Sequence, residues 1–195
     1  EALLSISSEY EFNTAYDQLL PFRSDGATRY LDSQSSAVFS SLSDRFALQR
    51  LGGDYEGGYW AQQHLGALDV ETSELTPGYS GRGLGVTIGY DTPLFGLDSV
   101  GLLGTMSDGK YEENDDALRT VSATSYGIGV FAFESLGPLD VQAAAQIADV
   151  NFDSERHIYV SDFDATAEGS WGGMSRAASF LVSSGLEMGQ AEVRP

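Results

Sequence analysis

The sequence predicts a mainly β protein: an antiparallel, up-and-down transmembrane β-barrel with an N-terminal α-helix in its lumen. Three observations support this prediction: segments without charged residues, alternating side chains within them, and connections that alternate between long and short. A tilted strand needs about 9–11 residues to cross a bilayer. The segments near this length that lack Asp, Glu, Lys and Arg are 83–90, 99–107, 120–133, 141–148 and 177–186.

The connections between these segments alternate in length. Outer-membrane barrels have short periplasmic turns on one rim and longer external loops on the other. The long polar connections are Glu71–Arg82, Gly109–Arg119 and Asp149–Gly169. The short connections are Thr92–Asp98, Glu134–Pro138 and Gly189–Glu192. We therefore expect strands that run up and down, beginning with Gly57–Thr72 and with a further strand starting at Glu192.

The stretch Gly81–Asp91, GRGLGVTIGYD, has the period of a strand, because successive side chains leave opposite faces. One face carries Leu84, Val86 and Ile88, which we expect to meet lipid. The other face has almost no side chains, although glycine weakens a strand interior. Its residues, which we expect to face the lumen, are Gly81, Gly83, Gly85, Gly89 and Asp91.

Two later segments repeat this alternation. Between residues 124 and 133, Ile128 and Val130 share one face, and Gly127 and Gly129 share the other. Between residues 139 and 147, the apolar residues alternate with polar ones such as Gln142. We expect the small and polar positions to face the lumen. The expected lipid-facing residues of these two strands are Ile128, Val130, Val141 and Ile147.

Periodicity alone leaves a soluble protein as the alternative. A secreted β-sandwich buries one face of each strand in its core and shows the same alternation. In that case the chain is a binding domain whose acidic loops hold a ligand or calcium. Behaviour in detergent separates the two, because only the barrel needs micelles to stay monodisperse.

A helix is predicted over Ala27–Leu48, which contains no Gly or Pro and ends before Gly52 and Gly53. Its apolar stripe is thin and many serines lie beside it, so it suits a hydrated cavity better than a soluble core. Its length of about 33 Å is close to the hydrocarbon thickness. We expect it to occupy the space above the glycine face. The helix charges expected to reach Asp91, Gln142 or Glu187 are Arg29, Asp32, Asp44 and Arg45.

Composition excludes several function classes. The net charge of −19 argues against a nucleic-acid partner, and the absence of cysteine excludes a disulfide framework and thiolate metal sites. Residues 127–132 fit a dinucleotide pattern, but they lie inside an alternating strand. Asp149, Asn151 and Asp153 copy the start of a calcium loop, but the glycine and the bidentate glutamate are missing. We expect no enzyme activity, no cofactor and no bound metal.

Several motifs occur in a specific order: AYDQLLP, a serine-rich helix ending in LSDRF, YWAQQ, GYSGRGLGVTIGYDTPLFGLDSVGLLG, SYGIGVFAF and SFLVSSGLEMG. In this order they resemble the translocator region of bacterial autotransporters, the type V secretion proteins. The resemblance implies an outer-membrane barrel of about twelve strands with a helix through the lumen. It also implies an exported N-terminal passenger, contact with outer-membrane lipid, and assembly by the barrel-assembly machinery.

On this reading, residues 1–22 end the passenger region, 23–53 form the lumen helix and its linker, and 54–195 form the first half of the barrel. About six to seven strands are expected, with the C-terminal strands missing, since an open edge in lipid leaves backbone groups unpaired. The expected structure is an open, curved sheet with the helix on its concave side.

Overall fold

In the residues that it describes, the computed structural model shows one long helix and eight strands. The helix α1 spans Gly26–Gly52 and contains 27 residues. The strands are β1 (Gly58–Val70), β2 (Tyr79–Leu94), β3 (Leu97–Glu113), β4 (Arg119–Leu136), β5 (Leu139–Val160), β6 (Phe163–Ser184), β7 (Leu186–Met188) and β8 (Ala191–Val193). The structure describes residues 8, 9, 12, 13, 15, 16, 26–52, 57–72, 78–113, 119–160, 163–184, 186–188 and 191–193.

The strands form an up-and-down antiparallel sheet. Strands β1 to β6 pair in chain order, and β7 and β8 pair in a separate two-stranded sheet. Each neighbouring pair among β1 to β6 is antiparallel. Within the described residues β1 and β6 do not pair with each other, so this sheet is open. The predicted fold class, a partial up-and-down barrel with an N-terminal helix, is confirmed.

The sheet curls around the helix. Six flat strands would be about 24 Å wide, because neighbouring strands lie about 4.8 Å apart. A helix is only about 10 Å across with its side chains. Nevertheless, Cα atoms of α1 lie within 8 Å of Cα atoms in both β1 and β6. The helix runs along the strands, since Tyr30 lies at Gly109 near one end of β3 and Gln49 contacts Asp91 near the opposite end of the sheet. It therefore reaches both edges only if the sheet is concave towards it, and we call this concave side the lumen face.

One rim of the sheet has tight turns. Leu94 pairs with Leu97 around Phe95 and Gly96, and Leu136 pairs with Leu139 around Gly137 and Pro138. Gly137 has a φ of 65°, which suits glycine at the first central position of a hairpin turn. We call this rim the short-turn rim and the opposite one the long rim.

Strands on the long rim extend further than predicted. The segment Asp149–Gly169 was expected to be a loop, but most of it belongs to β5 and β6, which have 22 residues each. Val150 and Phe152 are buried while Asn151 and Asp153 are exposed, so the alternation continues. Beyond the bilayer the outer face meets water, and charged residues there are compatible with a strand. At about 3.3 Å per residue these strands are longer than the roughly 25 Å apolar band of a barrel.

The outer face of the sheet is apolar. Leu84, Ile88 and Ile128 are exposed there, and Val141 is half-buried on the same side. Tyr59 and Tyr90 pair on this face near the short-turn rim, with ring centroids 4.8 Å apart, and Tyr126 lies on it nearer the long rim. Aromatic residues at both ends of an apolar band are typical of a barrel in a membrane. The predicted lipid-facing residues that are exposed are Leu84, Val86, Ile88, Ile128, Val130 and Ile147.

The lumen face packs against α1 through two apolar clusters. Near the short-turn rim, Val38, Leu42 and Phe46 of the helix meet Phe131 and Phe133. Nearer the long rim, Tyr30 packs with a second group. That group contains Tyr111, Val121, Ala123, Val150 and Phe152. In the described part of the chain, no helix is both long and apolar enough for a membrane span.

Candidate functional site: the helix in the lumen

The helix has a defined direction in the lumen. At its N-terminal end, Tyr30 lies over Gly109, and the Tyr30 hydroxyl is 3.4 Å from Ser107 Oγ. Both residues are in the half of β3 nearer the long rim. At its C-terminal end, Gln49 contacts Asp91, which precedes the tight turn after β2. The chain therefore enters α1 at the long rim and leaves it at the short-turn rim.

Asp91 holds the C-terminal end of the helix. Its side chain has no exposed surface and accepts hydrogen bonds from Gln49 Nε2 at 2.8 Å and Ser99 Oγ at 3.4 Å. Arg45 Nη2 lies 3.4 Å from Asp91 Oδ1, and Arg45 Nε lies 3.5 Å from Oδ2. A buried carboxylate is stable only with such partners. The Asp91 cluster, formed by Asp91, Arg45, Gln49 and Ser99, thus joins the last turns of α1 to β2 and β3.

Between its two ends, α1 contacts the sheet through hydroxyl and amide groups. Ser43 Oγ donates to Gln142 Oε1 at 3.2 Å, and Gln146 Nε2 donates to Ser35 Oγ at 3.2 Å. These bonds connect α1 to β5. Neutral polar pairs satisfy buried groups without the desolvation cost of a charge.

Aromatic rings fill the space between the polar contacts and the Asp91 cluster. Phe46 stacks on Phe133 with ring centroids 4.5 Å apart, and it meets Phe131 at 5.8 Å. Trp60 of β1 closes the other side of Phe131 at 6.0 Å. Burial of these rings stabilises the helix in the lumen by contacts that need no charge.

Comparison with known proteins identifies the family. The family model described as "Autotransporter beta-domain" matches residues 59–195, which is more than half of the chain. The chain belongs to the autotransporter β-domain family. Such a domain is an outer-membrane β-barrel of Gram-negative bacteria with a translocator role. Neither a curated protein nor a solved structure matches the chain.

The glycines of this autotransporter β-domain leave room for two kinds of neighbour. A Cβ at Gly83 would lie 3.0 Å from Gln34 Nε2 of the helix, and Gly109 lies under Tyr30. At Gly85 and Gly89 the space is taken by His64 and Trp60 of β1. The other predicted lumen glycines follow this second pattern: Gly81 makes room for Tyr111, Gly127 for Thr105 and Ala148, and Gly129 for Leu103 and Gln146.

The predicted helix charges fall into different surroundings. Arg45 pairs with Asp91 as expected from its reach, and Asp44 accepts a hydrogen bond from Gln62 Nε2 at 3.1 Å instead. Arg29 and Asp32 are exposed. The side chain of Glu187 lies outside the described residues.

Several lumen contacts of the autotransporter helix were not predicted from the sequence. Tyr30, Gln34 and Gln49 are buried on the helix face that also carries the buried apolar residues Val38, Leu42 and Phe46. The spacing 30, 34, 38, 42, 46, 49 keeps one face of a helix turned in the same direction. Extending the apolar stripe by this period, regardless of polarity, identifies all three residues.

A substitution at Gly109 is expected to loosen the N-terminal end of the autotransporter helix. A Cβ there would overlap the Tyr30 ring, lying 3.0 Å from its Cζ atom, so Gly109→Val must displace the tyrosine. We expect the free energy of docking of α1 on the sheet to become less favourable by about 1–3 kcal/mol, as for other overpacked cores. The measurement is the rate of trypsin cleavage after Arg29 in the full-length protein.

The matched control is Gly104→Ala on the outer face of the same strand. Its Cβ would lie an ordinary 3.6 Å from Ile88 Cγ1, so cleavage should stay at the parent rate. Equal cleavage rates for Gly109→Val and the parent protein would mean that Tyr30 does not anchor the helix.

The described residues contain no group of three or more His, Cys, Asp or Glu side chains placed to hold a metal ion.

Proposed function

We propose that this β-domain exports an N-terminal passenger to the cell surface through its lumen and anchors it in the outer membrane. The direction of α1 carries the proposal. The helix starts at the long rim and ends at the short-turn rim, where β1 begins. Because short turns of outer-membrane barrels face the periplasm, residues that precede α1 emerge on the external side.

The lumen contacts support a path for polypeptide. Hydroxyl and amide groups from α1 and β5 meet along the helix, and the Asp91 cluster holds its inner end. Such contacts hold a helix in one position without a covalent bond. The role that we propose is positioning and anchoring, with no catalytic step by the β-domain itself.

The outer face supports the proposed partners. The apolar residues of this face lie between the level of Tyr90, near the short-turn rim, and that of Tyr126, nearer the long rim. They suit contact with outer-membrane lipid. The proposed assembly partner is the barrel-assembly machinery. Sheet edges such as β1 and β6 need pairing inside a bilayer, because an unpaired backbone group there costs several kcal/mol.

Surface labelling tests the proposed direction of export. With an epitope tag inserted between residues 22 and 23 of the full-length protein, we expect antibody to stain intact cells. A matched control carries the same tag between Gly137 and Pro138 in a tight turn of the short-turn rim. This control should stain only after the outer membrane is permeabilised. An N-terminal tag that stains only permeabilised cells would refute export.

A further inference from the structure

The outer face carries an arginine within its apolar band. Arg176 of β6 pairs in register with Ile147 of β5, and Ile147 pairs with Ile128 of β4. All three side chains are exposed on the outer face. An arginine among isoleucines on the lipid side is unfavourable unless the guanidinium reaches a polar group.

The guanidinium points towards the long rim. Arg176 Nη2 lies 3.6 Å from the sulfur of Met174, which is one outward-facing position closer to that rim. Met174 pairs with Asp149, and Asp149 pairs with Tyr126, so this register row contains the tyrosine that marks the end of the apolar band. The carboxylate of Asp149 accepts a hydrogen bond from Asn151 Nδ2 at 3.2 Å, on the side further from the membrane. Arg176 therefore reaches the level where lipid headgroups begin.

An apolar groove of about 850 Å³ starts beside Arg176. It crosses the outer face from β3 to β6, and small residues leave it open between larger ones. Arg176 is the only charged residue among the described residues that line it. Its main lining residues are Leu102, Ile128, Val130, Ala145 and Ala178.

We propose that this groove binds one membrane lipid of the outer leaflet, with an acyl chain in the groove and a phosphate headgroup on Arg176. The two parts match in chemistry and in position. A guanidinium fits phosphate oxygens with two parallel hydrogen bonds. The anionic headgroup also neutralises the guanidinium of Arg176, while the groove takes up a hydrocarbon chain that would otherwise pack against an uneven surface.

Native mass spectrometry of the full-length protein in a non-ionic detergent tests this proposal. The probes are dioleoyl phosphatidic acid, dioleoylglycerol, which lacks the phosphate, and inorganic phosphate, which lacks the chains. We expect one saturable site for phosphatidic acid, no competition by inorganic phosphate, and weaker binding of the diacylglycerol. Arg176→Gln should lower the affinity for phosphatidic acid on the order of tenfold, as expected for one charge-assisted contact.

Two further variants separate the groove from the charge. Ala145→Phe fills the groove and keeps Arg176, so it should weaken the binding of phosphatidic acid to a similar degree. Arg176→Lys keeps a positive charge and should retain part of the affinity. The matched control is Arg82→Gln, which removes another exposed arginine of the outer face. It should bind like the parent protein. The heat-dependent shift in gel migration reports whether each barrel is folded, and Ala178→Leu replaces Ala145→Phe if the latter fails to fold.

Three outcomes overturn the proposal. The first is equal binding of phosphatidic acid by Arg176→Gln and Arg82→Gln. The second is displacement of the lipid by inorganic phosphate, which would show an anion site without a groove. Finally, a dimer that dissociates on Ala145→Phe would show that a second copy of the chain covers this face.

Discussion

Removal of residues 26–52 from the full-length protein is expected to open a stable conducting pore through the barrel lumen. The helix fills the lumen with Leu42 and Phe46, whose buried side chains pack against Phe131 and Phe133. The outer apolar face makes no use of α1, so the barrel should still insert and fold. Since a helix is about 10 Å across, its loss leaves a water-filled channel of at least that order.

Single-channel conductance in planar bilayers measures this effect. The control keeps α1 and replaces two of its exposed side chains, Asp32→Ala and Ser36→Ala, and should conduct like the parent protein. If conductance is the same with and without residues 26–52, the helix does not block the pore.

Replacement of Asp91 is expected to release the C-terminal end of α1. Asp91→Leu removes the acceptor for Arg45, Gln49 and Ser99 at once. Loss of one partner of a buried ion pair costs about 3–5 kcal/mol. The Arg45 side chain keeps 21% of its surface exposed, so the lower end of this range applies. About 3 kcal/mol corresponds to an opening equilibrium shifted roughly 100-fold.

Thiol labelling measures this release. In a variant whose only cysteine replaces Ser41, which is 2% exposed, labelling by a hydrophilic maleimide should accelerate roughly 100-fold on Asp91→Leu. Asp44→Leu is the matched control, because Asp44 is exposed and accepts a hydrogen bond from Gln62, away from Asp91. In a double variant that carries Asp91→Leu and Arg45→Met, the loss in free energy of helix docking should be much smaller than the sum of the two single losses. Unchanged labelling in Asp91→Leu would show that the Asp91 cluster does not hold the helix.

The strand pattern could be predicted from sequence wherever lipid faces one side. In β2 and β4, apolar residues such as Val86 and Ile128 alternate with glycines because bilayer and lumen impose opposite demands on the two faces. The same reasoning was wrong for residues 149–169. Charges there mark the end of the apolar band, whereas the strands continue into water with Val150 and Phe152 still facing inward.

The contacts within the lumen were harder to predict. Alternation places Asp91 and Gln142 on the inner face, but the partner of each depends on how α1 is rotated and how deep it lies. Asp44 and Arg45 are adjacent in the chain, yet only Arg45 meets Asp91, while Asp44 meets Gln62. A helix that turns about 100° per residue separates such neighbours, and the packing of the buried helix face, which includes Leu42 and Phe46, sets the rotation.

The short distance along the chain between α1 and β1 limits how far a released helix can travel. Helix α1 ends at Gly52 and β1 begins at Gly58, so residues 53–57 tether the helix to the barrel wall. A short tether keeps the effective concentration of a helix near its binding site at about the millimolar level. Rebinding is then an intramolecular event whose rate does not depend on how much protein the membrane contains. Openings of the intact domain should accordingly appear as brief bursts of current, with a closing rate that is the same in sparse and crowded bilayers.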